Sequence, residues 1–410
     1  MKTDVQQTRR AHRALSSSVL NIENKTRGNL LPWRGQFSPQ LIQAFLKEYA
    51  SPDSHVFDPF AGSGTVLHEC GLLNLRCSGT DLNPAAYHLA KAYEMLNIPL
   101  DKRRIALEHI GNFVEALTYE PMVLFGEVSR NEESNNLTKD ILDLYLSEES
   151  PLHRSLWESL IILLDFFNKE PTPSHALHTW RKLRELIEKL PYAESKIDVE
   201  IADARTPPVD ENSIDLIVTS PPYINVFNYH QQYRRSVEAL GWKPLIIAGS
   251  EFGANRKFRG NRFLTVIQYC LDMRQALEAF HAICRDDAHL IFVLGRESNV
   301  RKTAFKNGDI FRELATKCSC FENPLNQERV FRNKFGKWIY EDIIHLSPTP
   351  NGRKLGDPRA IAVCALKSAL AYAPNESKDD LLASIKAADS VKPSPIFVPK
   401  KASKYCCNRH

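Results

Sequence analysis

Three aspartates, a glycine loop and a Ser-Pro-Pro-Tyr turn are the residues of this chain with chemistry in their spacing. The stretch DPFAGSGT, residues 58 to 65, follows an apolar run and opens a helix-like one. Gly62 and Gly64 let backbone approach a ligand closely. A Walker A loop needs Gly-Lys-Ser/Thr, and Gly64 is followed by Thr65 with no lysine. A dinucleotide fingerprint wants a third glycine at 67, which is leucine. Asp58 would repel a phosphate and would suit a cation such as an ammonium group. Asp81 ends the next strand in GTDLN, where an acid grips ribose hydroxyls. Asp203, in ADAR after the third strand, is suited to accept from an adenine amino group. Ammonium, ribose and adenine together describe S-adenosylmethionine. Each aspartate alone could equally cap a turn; three at successive strand ends beside the glycine loop favour the ligand.

The second constellation is VTSPPYINVFNYHQQYRRS, residues 218 to 236. Proline fixes φ and removes a donor, so the Pro221-Pro222 pair ends a buried strand rigidly between Ser220 and Tyr223.

Positioning these residues requires a parallel sheet. SPQLIQAFLKEYA (38 to 50) reads as a helix with Ser38 as N-cap and Pro39 in its first turn. From His55 the pattern is strand, glycine loop, helix, strand, helix, a βαβα unit with right-handed crossovers. KIDVEIAD, SIDLIVTS and HLIFVLG supply three further strands, and FLTVIQYCLDMRQALEAFHAICR a long helix. QERVFRNKFGKWIYEDIIHL reads as a hairpin turning over 334 to 337. Residues 101 to 196 are far more than a crossover needs and have helical periodicity, so they read as an inserted helical subdomain. That insert holds 17 acids against 12 Lys and Arg, net −5 in a chain of net +4, leaving +9 elsewhere. A polyanion would therefore avoid it.

In order and position, these stretches resemble the amino-group DNA methyltransferases. FDPFAGSGT is similar to their motif I, GTDLN to motif II, ADAR to motif III and TSPPY to the catalytic motif IV. LPWRGQFSPQLI, residues 31 to 42, resembles motif X, which helps enclose the methionine part of the cofactor. The resemblance covers 25 to 100 and 196 to 348. It implies an α/β, Rossmann-like S-adenosylmethionine-dependent methyltransferase fold: a mostly parallel seven-stranded sheet with an antiparallel hairpin, plus the helical insert. With the insert and a partly helical, basic end read from composition, the expected domain boundaries are 1–100 (motifs X, I and II), 101–196 (insert), 197–348 (motifs III and IV to VIII) and 349–410, a basic C-terminal tail. The resemblance implies Phe37, Asp58, Phe60, Gly62, Gly64, Thr65, Asp81, Leu82, Asp203 and Ala204 as cofactor residues, and Ser220, Pro221, Pro222 and Tyr223 as catalytic ones. Here the cofactor half comes first, whereas many members with serine in motif IV run the other way, which leaves the target-recognition segment unassigned.

In such a site Ser220 and the Pro221 carbonyl would accept the two N–H bonds of an exocyclic amino group. The ring of Tyr223 would stack on a flipped base, with its hydroxyl dispensable. Methylation at cytosine carbon 5 is disfavoured, since none of the nine cysteines follows a proline. DNA contact falls to 224–262, where Arg234, Arg235, Arg256, Lys257 and Arg259 are interleaved with Phe227, Tyr229, Tyr233 and Trp242. RNKFGKW at the hairpin turn is a second candidate. Serine in motif IV favours cytosine N4 over adenine N6 in double-stranded DNA, within a restriction-modification or defence system that implies a cognate endonuclease. An RNA base methyltransferase, protein glutamine methylation and a cofactor-binding scaffold are the other readings. The cysteines form no CxxC, so no metal is expected; Cys406, Cys407 and His410 read as incidental. A polar, basic N-terminus and the lack of a transmembrane-length apolar run imply a cytoplasmic, nucleoid-associated protein.

Overall fold

A computed structural model describes residues 13–23, 26–119, 136–166, 170–224, 229–253, 258, 260–333, 336–350 and 355–399. After α1 (Ser17–Leu20), α2 (Pro39–Tyr49) begins with Pro39 in its first turn behind Ser38, whose hydroxyl makes no capping bond. β1 (His55–Asp58), α3 (Thr65–Leu72), β2 (Arg76–Asp81) and α4 (Pro84–Lys91) complete the βαβα unit. Asn83 caps α4 by accepting from the Ala85 N–H, and Pro84 opens it, so the chain leaves β2 and turns at once into helix.

The segment read as an insert is helical: α5 (Leu100–Thr118), α6 (Leu137–Ser147), α7 (Pro151–Leu164) and α8 (Pro173–Lys189). Its buried Trp157, Leu160, Trp180 and Leu183 join the same continuous core as Val56, Leu67 and Leu89 of the βαβα unit. β3 (Ile197–Ile201) and β4 (Ile214–Thr219) follow, then α9 (Arg234–Ala239), α10 (Pro244–Ile247), α11 (Leu264–Ile283) and β5 (Cys284–Gly295). A small ribbon, β6 (Glu297–Val300) with β7 (Thr303–Lys306), leads into α12 (Asn307–Lys317). The predicted hairpin is β8 (Phe321–Arg332) and β9 (Trp338–Pro348), and α13 (Pro358–Ala369) and α14 (Asn375–Lys386) end the helical part.

The seven-stranded sheet runs β3-β2-β1-β4-β5-β9-β8. β3, β2, β1, β4 and β5 are parallel, and β9 is antiparallel to both β5 and β8. Strands β1 and β4 are buried at nearly every position because both faces are covered. Val56, Leu216 and Val218 face the layer of α2, α3, α4 and the insert helices. Phe57, Ile214 and Ile217 face the layer of α11, α12 and α13. Strand order reverses between β1 and β4, and ligands bind outside the carboxyl ends of parallel strands at such a switch point.

One expectation fails. Residues 349–410 are not a tail as a whole, since α13 packs on α11 and α12, and α14 packs on α13. Val391 and Ser394, beyond these helices in the segment read as a tail, are buried. Residues 400–410, which carry Lys400, Lys401, Lys404 and Arg409 and the Cys406, Cys407 and His410 group, lie outside the described residues.

Candidate active site

A cavity of about 260 Å³ opens at the switch point. Trp33 to Phe37 form one wall; Phe60, Gly62 and Thr65 after β1, Asp81 and Leu82 after β2, and Asp203 and Ala204 after β3 form the next. Ser220, Pro222 and Tyr223 after β4 also line it. Of the residues singled out from the sequence, Asp58, Gly64 and Pro221 do not line the cavity, and neither do Arg234 and Arg235.

Asp58 is 1% exposed and lies behind the wall. Its Oδ1 accepts from the Phe60 N–H at 3.1 Å and the Thr219 hydroxyl at 2.6 Å, tying the end of β1 to the residue before Ser220. Burial pushes its carboxyl up to about 7. Asp58 thus acts as a strut between β1 and β4, where the sequence led us to expect an ammonium partner. Gly64 is also structural. Its φ is +85°, and an added Cβ would meet Tyr93 Cδ2 at 2.8 Å and the Ala90 Cα at 3.0 Å, on the far side from the cavity. Gly62, at φ +53°, does line the cavity, and a Cβ there would press the Trp33 indole at 3.0 Å.

Asp81 lies on the cavity wall. Oδ2 accepts from the Gly62 N–H at 2.9 Å and Oδ1 from the Asn83 N–H at 2.8 Å, which aims the carboxylate along the wall. Burial outweighs these bonds and raises it to about 7. Asp203 reaches the wall, but both oxygens are engaged by Arg205, at 2.8 and 2.6 Å, and Oδ2 also accepts from the Phe397 N–H at 3.0 Å.

Ser220 Oγ and Tyr223 Oη lie 3.1 Å apart, and either hydroxyl can donate. The Tyr223 ring lies on Gly295 at the end of β5, where a Cβ would come within 3.0 Å of Cε2. Burial raises the phenol far above its ordinary value, so it stays protonated. The tyrosine hydroxyl is therefore part of the serine's hydrogen bonding, contrary to the expectation that the ring alone matters.

Segment 229–262 contributes differently from what its composition implies. Tyr229 and Tyr233 stack on Trp33, with ring centroids 6.4 Å apart in both pairs, and the Trp242 indole donates to His88 Nε2 at 3.0 Å. Three of the four aromatics expected to meet DNA thus join this segment to the motif X stretch and to α4. Arg234 pairs with Glu238 at 2.8 Å on α9, and Arg235 beside it is exposed. Arg256, Lys257, Arg259 and Phe227 lie outside the described residues. The same segment places His230, Glu251, Phe252 and Arg262 on the cavity wall, none of them legible from a motif. Glu251 holds His230 in two places, at the main-chain N–H and at Nδ1, both at 3.1 Å.

Among the described residues, His109, Glu148 and His153 bring potential metal ligands within 4.8 Å of one another. Glu148 lies 3.1 Å from His109 and 3.3 Å from His153, and it also accepts from the Ser150 N–H. Pairing of the carboxylate with the two rings accounts for the cluster.

The cavity fits an adenosyl cation. It offers carboxylates at the ends of adjacent strands, a glycine wall with no side chain in the way, and the apolar faces of Phe60, Leu82 and Phe252. Residues 3–92 match the family model of N6/N4 DNA methylases. A type II methyltransferase of Methanocaldococcus jannaschii, M.MjaII, is 40% identical over 72 residues, 17% of this chain and 14% of the relative. A second, M.BsoBI of Geobacillus stearothermophilus, is 23% identical over 291 residues, 58% of this chain and 57% of the relative. The chain therefore spans well under two thirds of the length of either curated relative. Among solved structures, an S-adenosylmethionine-dependent methyltransferase of Methanosarcina mazei aligns over 74% of this chain and 97% of its own, at 11% identity and a TM-score of 0.35. The rRNA methyltransferase aviRa of Streptomyces viridochromogenes aligns over 82% and 95%, at 14% identity and 0.28. The strand order, not these scores, carries the fold: an S-adenosylmethionine-dependent methyltransferase sheet with an antiparallel hairpin. With its methylase-like motifs in order around that sheet, the chain resembles the amino-group DNA methyltransferases through residues 3–92 and through its two partial relatives, and fold and family match together imply S-adenosylmethionine as the methyl donor.

Proposed function

We propose that this protein methylates the exocyclic N4 of cytosine in double-stranded DNA as part of a restriction-modification or defence system. The observation that carries the reading is the Ser220–Tyr223 hydroxyl pair, held 3.1 Å apart by the Pro-Pro turn on the wall of the cofactor cavity. An exocyclic amino nitrogen is a poor nucleophile because its lone pair is delocalised into the ring. Ser220 Oγ has two lone pairs; with Tyr223 donating to one, the other accepts an amino N–H and draws nitrogen toward a tetrahedral shape. The expected acceptor of the second N–H is the Pro221 carbonyl, between the lining residues Ser220 and Pro222 though Pro221 itself does not line the cavity. S-adenosylmethionine, when bound, supplies the electrophilic methyl group. The Tyr223 ring, backed by Gly295, offers its other face to a base swung out of the duplex. Serine in place of the acidic or amide residue usual in adenine-N6 relatives supports cytosine.

Incubation of purified protein with labelled donor and duplex DNA, followed by nucleoside digestion, tests the reading. N4-methylcytosine is the expected product. N6-methyladenine would overturn the choice of base, and label confined to RNA would remove DNA as the substrate.

A further inference from the structure

The guanidinium of Arg205 is fully buried at the foot of the cavity. It meets Asp203 at 2.6 and 2.8 Å, Asp272 of α11 at 3.3 Å, and the main-chain oxygens of Ser394 and Pro395 at 2.7 and 2.9 Å. A longer bond, 3.3 Å, reaches the Ser250 oxygen. The chain near the C-terminus closes the network. The Ser394 N–H donates to Asp272 Oδ1 and its hydroxyl to Oδ2, each at 2.7 Å, and the Phe397 N–H donates to Asp203. Asp272 Oδ2 also accepts from the Gly253 N–H at 3.0 Å.

Two carboxylates and one guanidinium are out of water together. Such a cluster is tolerable only when nearly every donor and acceptor is used, and removing the cation would leave two buried anions facing each other. Arg205 and Ser394 do not themselves line the cavity, but Asp203, Glu251, Phe252 and Gly253 do. The network is therefore one layer behind the wall assigned to the adenine end of the cofactor.

We infer that Arg205 and the C-terminal segment 391–399 are positioning elements of the cofactor site, fixing the Asp203 carboxylate and the 250–253 loop and so setting cofactor affinity. The inference rests on reading the cavity as the S-adenosylmethionine site. An Asp203 left unclamped would turn toward solvent or lose its charge, and the 250–253 wall would lose its bond from Arg205 to the Ser250 oxygen. Chemistry at Ser220, across the cavity, would proceed unchanged once cofactor is bound.

The test uses the full chain carrying Arg205→Lys, which keeps the charge but loses the fork, and separately Ser394→Ala. Titration calorimetry with S-adenosylmethionine and S-adenosylhomocysteine gives Kd, and steady-state assays on duplex DNA give KM and kcat. Arg205→Lys should raise Kd and the cofactor KM about tenfold or more, and Ser394→Ala several-fold, with kcat at saturating cofactor within about twofold of the parent. A purely structural staple would lower the melting temperature and leave Kd within about twofold in folded protein, and that result overturns the inference. Loss of kcat with unchanged KM overturns it as well. If Arg205→Lys does not fold, an unchanged Kd for Ser394→Ala is decisive against it. Parent protein that binds neither ligand would show, before any substitution, that the cofactor reading has failed.

Discussion

Ser220 and Tyr223 form one hydrogen-bonded unit. A serine hydroxyl that must accept from an amino group is more effective when its own orientation is set, and the tyrosine hydroxyl sets it. Ser220→Ala should cost roughly a hundredfold in kcat, the scale of losing one aimed hydrogen bond that matters mainly in the transition state. Cofactor affinity should be retained in that variant, as read by calorimetry. Tyr223→Phe keeps the stacking face and loses the orienting hydroxyl, so it should cost about tenfold, between parent and Ser220→Ala. Equal activity of Tyr223→Phe and parent in the same methylation assay would show that the 3.1 Å contact has no catalytic weight.

The loop between β1 and α3 divides its two glycines between different tasks. Gly64, at positive φ and packed on Ala90 and Tyr93, lets α3 approach α4. Gly62 turns its bare face to the cavity and to Trp33. Gly64→Val should therefore lower stability by about 2–4 kcal/mol, combining left-handed strain with overpacking. Reduced cofactor binding would follow only from the unfolded fraction. Gly62→Ala should keep most of its stability while weakening cofactor binding, because the methyl group pushes the indole that Tyr229 and Tyr233 stack upon. Thermal melts alongside cofactor titrations separate the two; a stable Gly64→Val that cannot bind cofactor would return Gly64 to the ligand.

Across the whole molecule, charge is distributed unevenly. Residues 101–196 carry net −5 and the rest of the chain +9. Binding of a duplex releases counterions in proportion to the phosphates neutralised, so the slope of affinity against salt reports which surface is engaged. Reversing charge at Arg256, Lys257 and Arg259 should weaken DNA binding and flatten that slope. Reversal at Arg181, Lys182 and Arg184 on α8 should do much less, partly because Arg184 is already paired with Glu188 at 3.0 Å. A larger loss from the α8 variant in a salt titration would move the DNA face to the insert. Among the described residues, no helix is long and apolar enough to cross a membrane.

By itself the sequence located the strands of the cofactor half, the helical character of 101–196 and the strand-end stretches that carry Asp81, Ser220 and Tyr223. Those features are local: apolar runs, a proline pair and glycines at strand ends dictate them within a few residues. Folding decided what depends on partners distant in the chain. Asp58 became a strut because Thr219, 161 residues later, donates to it. Gly64 became a packing residue because α4 crosses it. Tyr233 and Trp242 read as surface aromatics until Trp33 and His88 were brought to them. The C-terminal segment has no periodicity to announce itself; the buried Asp203–Arg205–Asp272 cluster, needing donors and acceptors that water could not supply, bonds it against the site, with Val391 in the core and Gln268 and Arg359 bonding its main chain.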